Sequence, residues 1–314
     1  MKSVWYAVMR TAILPVMLMA ALFMNPSEGF AAEGDPAAKA QLESACKAME
    51  DVKSGALDMN FQADAVIMGF DGNVRMDFAS DPAFGAHGTA TLNAKGGKDP
   101  SVQKYEFYTK EEGKNYVTYY REGTDVWYKE SYSKDGDSKS KDKKLEKDPA
   151  YQALLQEMKG CDEAVRFGNS TADVQEYIVS VDGNKFWTAV GNYAKAKTNL
   201  KDEQEKNLQA VIDALRNAGD LECEVTVDKG TNRIVSAKAD LSNIASKFAM
   251  AMIGQTNMDD KQKMLFGMAA SQVKLVFTMH GSEYNEAKDV TVPASVAKNA
   301  KVKKDKKDKK DSKK

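Results

Sequence analysis

Two histidines, His87 and His280, and three cysteines, at positions 46, 161 and 223, are the residues of this 314-residue chain from which nucleophilic, acid–base or metal chemistry would be built. A Ser/His/Asp or Cys/His centre needs an imidazole oriented by a third group and turned toward a cleft. Both histidines instead fall on the polar phase of alternating segments, His87 between Ala86 and Gly88 and His280 after Val273, Leu275, Phe277 and Met279, where water is the expected neighbour. No GxSxG, HExxH or Walker sequence occurs, and no CxxC or CxxH. The adjacent carboxylates Glu111-Glu112 and Asp259-Asp260 lie on turn signals and read as solvated charge. The residues therefore give no catalytic or metal-ligating constellation and call for no cofactor, and the expectation is a protein that is not an enzyme.

What they do supply is apolar surface at regular spacing. Nine aromatic residues fall between Lys104 and Tyr132, in a run that reads as three strands turning at Glu111-Glu112-Gly113-Lys114 and at Glu122-Gly123. Tyr105 and Phe107, Val117 and Tyr119, then Val126 and Tyr128 recur with period two, which predicts that each strand turns an apolar face the same way. Such a meander requires a cover or a ligand. The candidates for the lining of a hydrophobic cavity are Met59, Phe61, Phe107, Tyr119, Tyr128, Phe277 and Met279; Trp127 has the opposite phase to Tyr128 and is left out.

The elements that must position these side chains follow from the same patterning. Asp35-Pro36 is an N-cap and N1 pair for a helix to about Lys53, with Ala38, Leu42, Ala45, Cys46, Met49 and Val52 on one stripe. From Leu57 the period becomes two, through Met59, Phe61, Ala63, Ala65 and Ile67; Asp71-Gly72-Asn73 reads as a turn, and Val74, Met76 and Phe78 as the next strand. In the strand that follows, the apolar phase holds Ala86, Gly88, Ala90 and Ala94, residues too small to fill the space beside a curved sheet. Either helices approach closely there or an apolar cavity remains. Helices are predicted over 149–159, stopped by Gly160, and over 202–218. Strands are predicted over 175–181, from Phe186 to Val190 after the turn Asp182-Gly183-Asn184, and over 223–228 and 233–241. Residues 243–270 are mostly helical and rich in methionine, a flexible side chain that suits core filling or an adaptable lipid-binding wall. Val290 to Pro293 reads as a closing edge strand. The class is α+β, a curved antiparallel sheet with helices covering its concave face.

The ends set the compartment. Lys2 and Arg10, the apolar run Thr11 to Met24 and the small residues Gly29 and Ala31 read as a signal peptide, residues 1–31, cleaved near Ala31; the run is short of the roughly 20 residues that span a bilayer. Export to the periplasm or the extracellular cell envelope is expected. Residues 33–300 form a single domain, and the Ser133 to Lys147 segment a solvated loop. Residues 301–314, nine Lys and three Asp with a single Val, are predicted to stay disordered as a solubilising end, or to make weak, salt-sensitive contact with anionic lipid or wall polymer. With six positive charges there and one in the leader, a total of −1 leaves −8 on the body, which argues against nucleic acid as a partner. In an oxidising compartment Cys161 and Cys223 are the candidates for one disulfide, leaving Cys46 packed as a small hydrophobe.

The order of signal peptide, short amphipathic helix, aromatic meander, helices between strand groups, the strand pair VDKGTNRIVSAKADL and a terminal KDVTVPASV resembles the LolA and LppX/LprG-like lipoprotein-carrier superfamily, in an exported bacterial branch, over Pro36 to Val296. The resemblance implies an unclosed half-barrel of about eleven strands whose helices plug an apolar cavity holding lipid or acyl chains. Two departures stand beside it: no lipobox Cys follows the leader, and no arginine of the carrier's closing mechanism can be placed. The function expected is a non-enzymatic envelope protein that binds a hydrophobic ligand for transport or sensing. The alternative is a structural or protein-interaction module whose sheet is filled by its helices and takes no ligand.

Overall fold

Local patterning settles most elements, and cross-strand register settles what they bury. A computed structural model describes residues 34–65, 68–96, 101–133, 149–159, 163–197, 202–254, 256, 258–286, 288 and 290–302. The leader, the 134–147 loop, Cys161 and residues 303–314 lie outside the described residues. The strands are β1 Ser54–Ala65, β2 Met68–Ala79, β3 Gly85–Gly96, β4 Ser101–Glu112, β5 Asn115–Glu122, β6 Tyr128–Ser133, β7 Glu163–Ser170, β8 Val174–Val181, β9 Leu221–Asp228, β10 Arg233–Asp240, β11 Lys274–Ser282 and β12 Lys301–Val302. They form one open sheet in the order β12-β6-β5-β4-β3-β2-β1-β11-β10-β9-β8-β7. The pair β12–β6 is parallel, and the registers of β3 through β6 and of β7 through β11 are antiparallel. The helices are α1 Pro36–Met49, α2 Pro149–Lys159, α3 Gly183–Lys197, α4 Asp202–Arg216, α5 Ser242–Gly254, α6 Asp260–Ala270 and α7 Ala294–Asn299. The fold is α+β on an open sheet, as expected, with twelve strands where the resemblance implied about eleven. The chain divides into two compact units, Met1–Asp51 with Phe61–Gly69 and Asp148–His280, and Val52–Asn60 with Phe70–Lys147 and Gly281–Lys314.

In the first unit, register aligns Val165, Val179, Cys223, Ala239 and Phe277 as one cross-strand row, and Tyr177, Val225, Ala237 and Met279 in the next. The helices lie on this face. Asp35 accepts the N–H groups of Ala37 (2.8 Å) and Ala38 (3.2 Å) to start α1, whose Ala38, Leu42 and Ala45 are buried against Val165, Tyr177, Val179 and Val225. Val211 and Leu215 of α4 and Ile244 of α5 bury Ala239 and Leu241. The other face carries Arg166 with Glu222 (2.7 Å) and Lys238 with Glu224 (3.1 Å), as befits solvent.

One sequence expectation fails in this unit. Phe186 to Val190 is not a strand but part of α3. Asp182, read as a turn residue, is the cap: its carboxylate accepts Lys185 N–H (3.0 Å) and its carbonyl accepts Phe186 N–H (3.0 Å). An apolar run of five residues fits either period, and Phe186 and Ala189, one turn apart, are the residues that bury. The expected partner of Cys223 in a disulfide, Cys161, lies outside the described residues; Cys223 itself is a free thiol in the core beneath α1.

In the second unit, Asp71-Gly72-Asn73 is not a turn but lies inside β2, where Asn93 Nδ2 of β3 donates to Asp71 Oδ2 (2.7 Å) and Lys95 pairs with Asp71. Val290 to Pro293 forms no strand. It leads into α7, and Val292 and Val296 cover Val117 and Tyr119. Lys301, expected to begin the disordered tail, donates its N–H to Trp127 O (2.8 Å), so Lys301 and Val302 form β12 beside Tyr128 and Lys129.

Candidate functional site

The seven candidate lining residues divide by unit and by face. Phe277 and Met279 stand on the helix-covered face of β11, in the rows just described, and Phe277 packs on a core that also meets Trp187 of α3, Ala251 of α5 and Leu275. Phe61, on the stretch of β1 assigned to the same unit, is also half-buried. The Trp187 indole Nε1 is enclosed yet has no hydrogen-bond partner among the described residues. A buried donor left without an acceptor costs about 1–3 kcal/mol. Trp187, a strand residue by the sequence pattern, lies on α3, and there it packs on the same core as Phe277.

Phe107, Tyr119 and Tyr128 lie in the second unit but do not share a face. The turn at Gly113, with φ +59°, sets Glu112 opposite Asn115, so Phe107 pairs with Tyr120 and Tyr108 with Tyr119. Tyr120 in turn pairs with Tyr128. Phe107, Tyr120 and Tyr128 therefore point to one side and Tyr119 to the other, against the same-face reading of the sequence. Tyr119 is 4% exposed under Val292 and Val296, whereas Met59, Phe107 and Tyr128 remain half-buried. Gly88 of β3 has its cover from the sheet itself. A Cβ at Gly88 would stand 2.6 Å from the Phe107 ring, which occupies that space from the neighbouring strand.

Buried side chains larger than alanine are rarely enclosed completely: among the described residues below 2% exposure, Val225 is the largest. The opposite extreme is the α5–α6 pair, where Phe248, Met252, Met264, Leu265, Phe266 and Met268 are 41–61% exposed.

A polar group sits on the β3–β5 face that carries Tyr119. Glu106 accepts from Arg121 Nε (2.8 Å) and pairs with its guanidinium (2.6 Å), and His87 Nε2 lies 3.4 Å from its other oxygen. The His87 ring stacks on Tyr108 at 4.2 Å, so this histidine is not a solvated one, contrary to expectation; His280 is exposed. Burial pushes the Glu106 carboxyl up, but the hydrogen bond and charge of Arg121, with His87, outweigh it and hold the group below its ordinary value. Glu106 and Arg121, with Thr89, Thr91, Lys104 and Asp125 and the apolar surface of Ala90 and Tyr105, line a cavity of about 350 Å³ here. Spacing along the sequence gave no signal for this group, because His87, Glu106 and Arg121 meet only through the register of three strands. No group of three or more His, Cys, Asp or Glu able to hold a metal is present among the described residues.

Residues 37–301 match the family described as "Family of unknown function (DUF6612)". No curated protein matches the chain. Among solved structures it is similar to LprF from Mycobacterium bovis, at 13% identity and a TM-score of 0.35, over 83% of this chain and 99% of that one.

Proposed function

We propose that this chain, which belongs to the DUF6612 family of unknown function, is a non-enzymatic envelope protein that binds a lipid or acyl chain against the helix-covered face of its first unit. The observation that carries the reading is incomplete burial. Phe61, Phe277 and Met279 are large apolar side chains left half-buried on strands, Phe277 and Met279 with helices standing over them. A sheet finished for stability alone would enclose them, since each large side chain buried contributes about 1.5–3 kcal/mol. The Trp187 N–H, without a partner among the described residues and on the same core as Phe277, adds a polar handle suited to the carbonyl of an ester or acid. Met59, Phe107 and Tyr128, half-buried in the second unit, are further candidate contacts, and Tyr119 is assigned instead to the core beneath α7.

Organic extraction of gently purified protein, followed by mass spectrometry, tests the reading. Stoichiometric lipid is the expected result; its repeated absence, together with failure of added fatty acid to bind, would leave the protein-interaction module as the better account. Export of the protein, with a leader ending near Ala31, is part of the same proposal and is checked by the N-terminal sequence of the secreted form.

A further inference from the structure

Soluble helices turn apolar side chains inward and polar ones to water. Helix α6 leaves its large apolar side chains outside along with its polar ones. Ala270 is its buried residue, while Met264, Leu265 and Met268 occupy the outward arc with Lys261 one turn before them. Phe248 and Met252, one turn apart on the adjoining α5, are exposed in the same manner. The apolar side chains are thus flexible or large, not the small residues of a helix–helix seam. The charges around them have a sign. Residues 242–270 hold Lys247, Lys261 and Lys263 against Asp259 and Asp260, a net +1 on a body of −8. Both carboxylates stand at the start of α6, where Asp259 is committed as the cap, accepting Gln262 N–H at 2.8 Å in a capping box. Among the described residues no helix is long and apolar enough to cross a membrane, so contact of this pair with a bilayer would be interfacial.

We infer that α5 and α6 form a docking surface for an anionic lipid bilayer, with Met264, Leu265, Met268 and Phe248 entering the acyl boundary and Lys261 and Lys247 at headgroup level. Uncovered apolar area calls for an apolar partner, the local positive charge selects an anionic surface over a second copy of this acidic chain, and long lysine stems let the ammonium groups stay in the headgroup layer. The inference rests on the acyl-binding reading for its source of ligand: a protein that takes up acyl chains must meet the membrane that holds them.

The test is flotation of the purified protein with phosphatidylcholine vesicles and with vesicles containing phosphatidylglycerol, at low and physiological salt, against the triple variant Met264→Gln, Leu265→Gln, Met268→Gln. These positions are exposed, and circular dichroism confirms that the variant stays folded. Binding should favour the phosphatidylglycerol vesicles, weaken with salt, and fall roughly tenfold or more in the triple variant; Lys261→Glu should remove the preference for phosphatidylglycerol. Wild-type protein that binds neither vesicle, or a triple variant that binds as well as wild type, overturns the inference. So does light scattering that shows a wild-type dimer made monomeric by the triple change with no effect on vesicles. Lipid extraction and fatty-acid titration run in parallel keep the two readings separate: retained acyl chains without vesicle binding sink the docking surface alone, and vesicle binding with neither retained lipid nor binding of added fatty acid sinks the carrier.

Discussion

Trp187 and Cys223 show how much a single buried group can decide. The Trp187 N–H has no acceptor among the described residues, so Trp187→Phe removes an unsatisfied donor at the cost of some ring area, and stability should stay within about 1 kcal/mol of wild type. If the indole reads the ligand's carbonyl, the same change weakens fatty-acid binding roughly fivefold and leaves alkane binding untouched, as fluorescence titration of the two ligands would show. At Cys223, burial pushes the thiol up from 9.0 to about 12. A thiol ionises more readily in the unfolded chain, so this group's contribution to stability is complete below pH 9.0 and is lost as pH rises toward about 12. Cys223 should therefore resist a thiol reagent at pH 8 until the protein unfolds, and a Cys223→Ala variant should lose less stability than wild type between pH 9 and 11 in urea titrations. Glu106 has the opposite sign. Its stabilising pairing with Arg121 is present above the ordinary carboxylate range and is lost as pH falls. Arg121→Met, which also removes the guanidinium from over Trp127, should cost about 1 kcal/mol at pH 7 and less near pH 3.

At the scale of elements, the two faces of the meander make a sharp contrast. Tyr119→Ala empties an enclosed site under α7 and should cost about 3 kcal/mol, while Phe107→Ala, half-exposed over Gly88, should cost about half as much; equal losses in urea melts would contradict the assignment of faces. Loss of the Asp182 cap in Asp182→Ala should cost about 1 kcal/mol and fray the start of α3. The elements that were legible in the sequence are those with long, unambiguous periods: α1 from its Asp-Pro start, α2 to its terminal lysine, and the alternation of β1, β9 and β11. What misled was short or shared punctuation. Asp-Gly-Asn serves as a turn, a cap or, in β2, plain strand, and only neighbours far along the chain choose among them. The candidate site was half legible for the same reason. Strand periodicity puts Phe277 and Met279 on the apolar phase, but the face of Tyr119 depends on where the Gly113 turn sets the register, and the partners of Trp187 on a helix whose apolar run fits a strand equally well.

Over the whole molecule, neither unit is a continuous stretch of chain. The first needs α1, from near the start, to bury Val165, Tyr177, Val179 and Val225. A fragment of residues 148–280 should therefore expose that surface and bind an apolar dye, and the same fragment fused through a linker to residues 34–51 should not; a well-folded fragment without α1 would count against this account of the core. The strand order carries a further consequence, for time. β11 belongs between β1 and β10, and β12, the last described element, lies at the edge beside β6. As a ribosome makes this chain from its amino end, β1, ending at Ala65, must wait for a neighbour that begins only at Lys274, and β6 stays open until Lys301 and Val302 are made. The nascent sheet thus has unsatisfied edges while all the intervening elements are synthesised, folding is slow because its contacts are distant, and a holding factor that keeps such edges apart would matter more to its yield than to the stability of the finished protein.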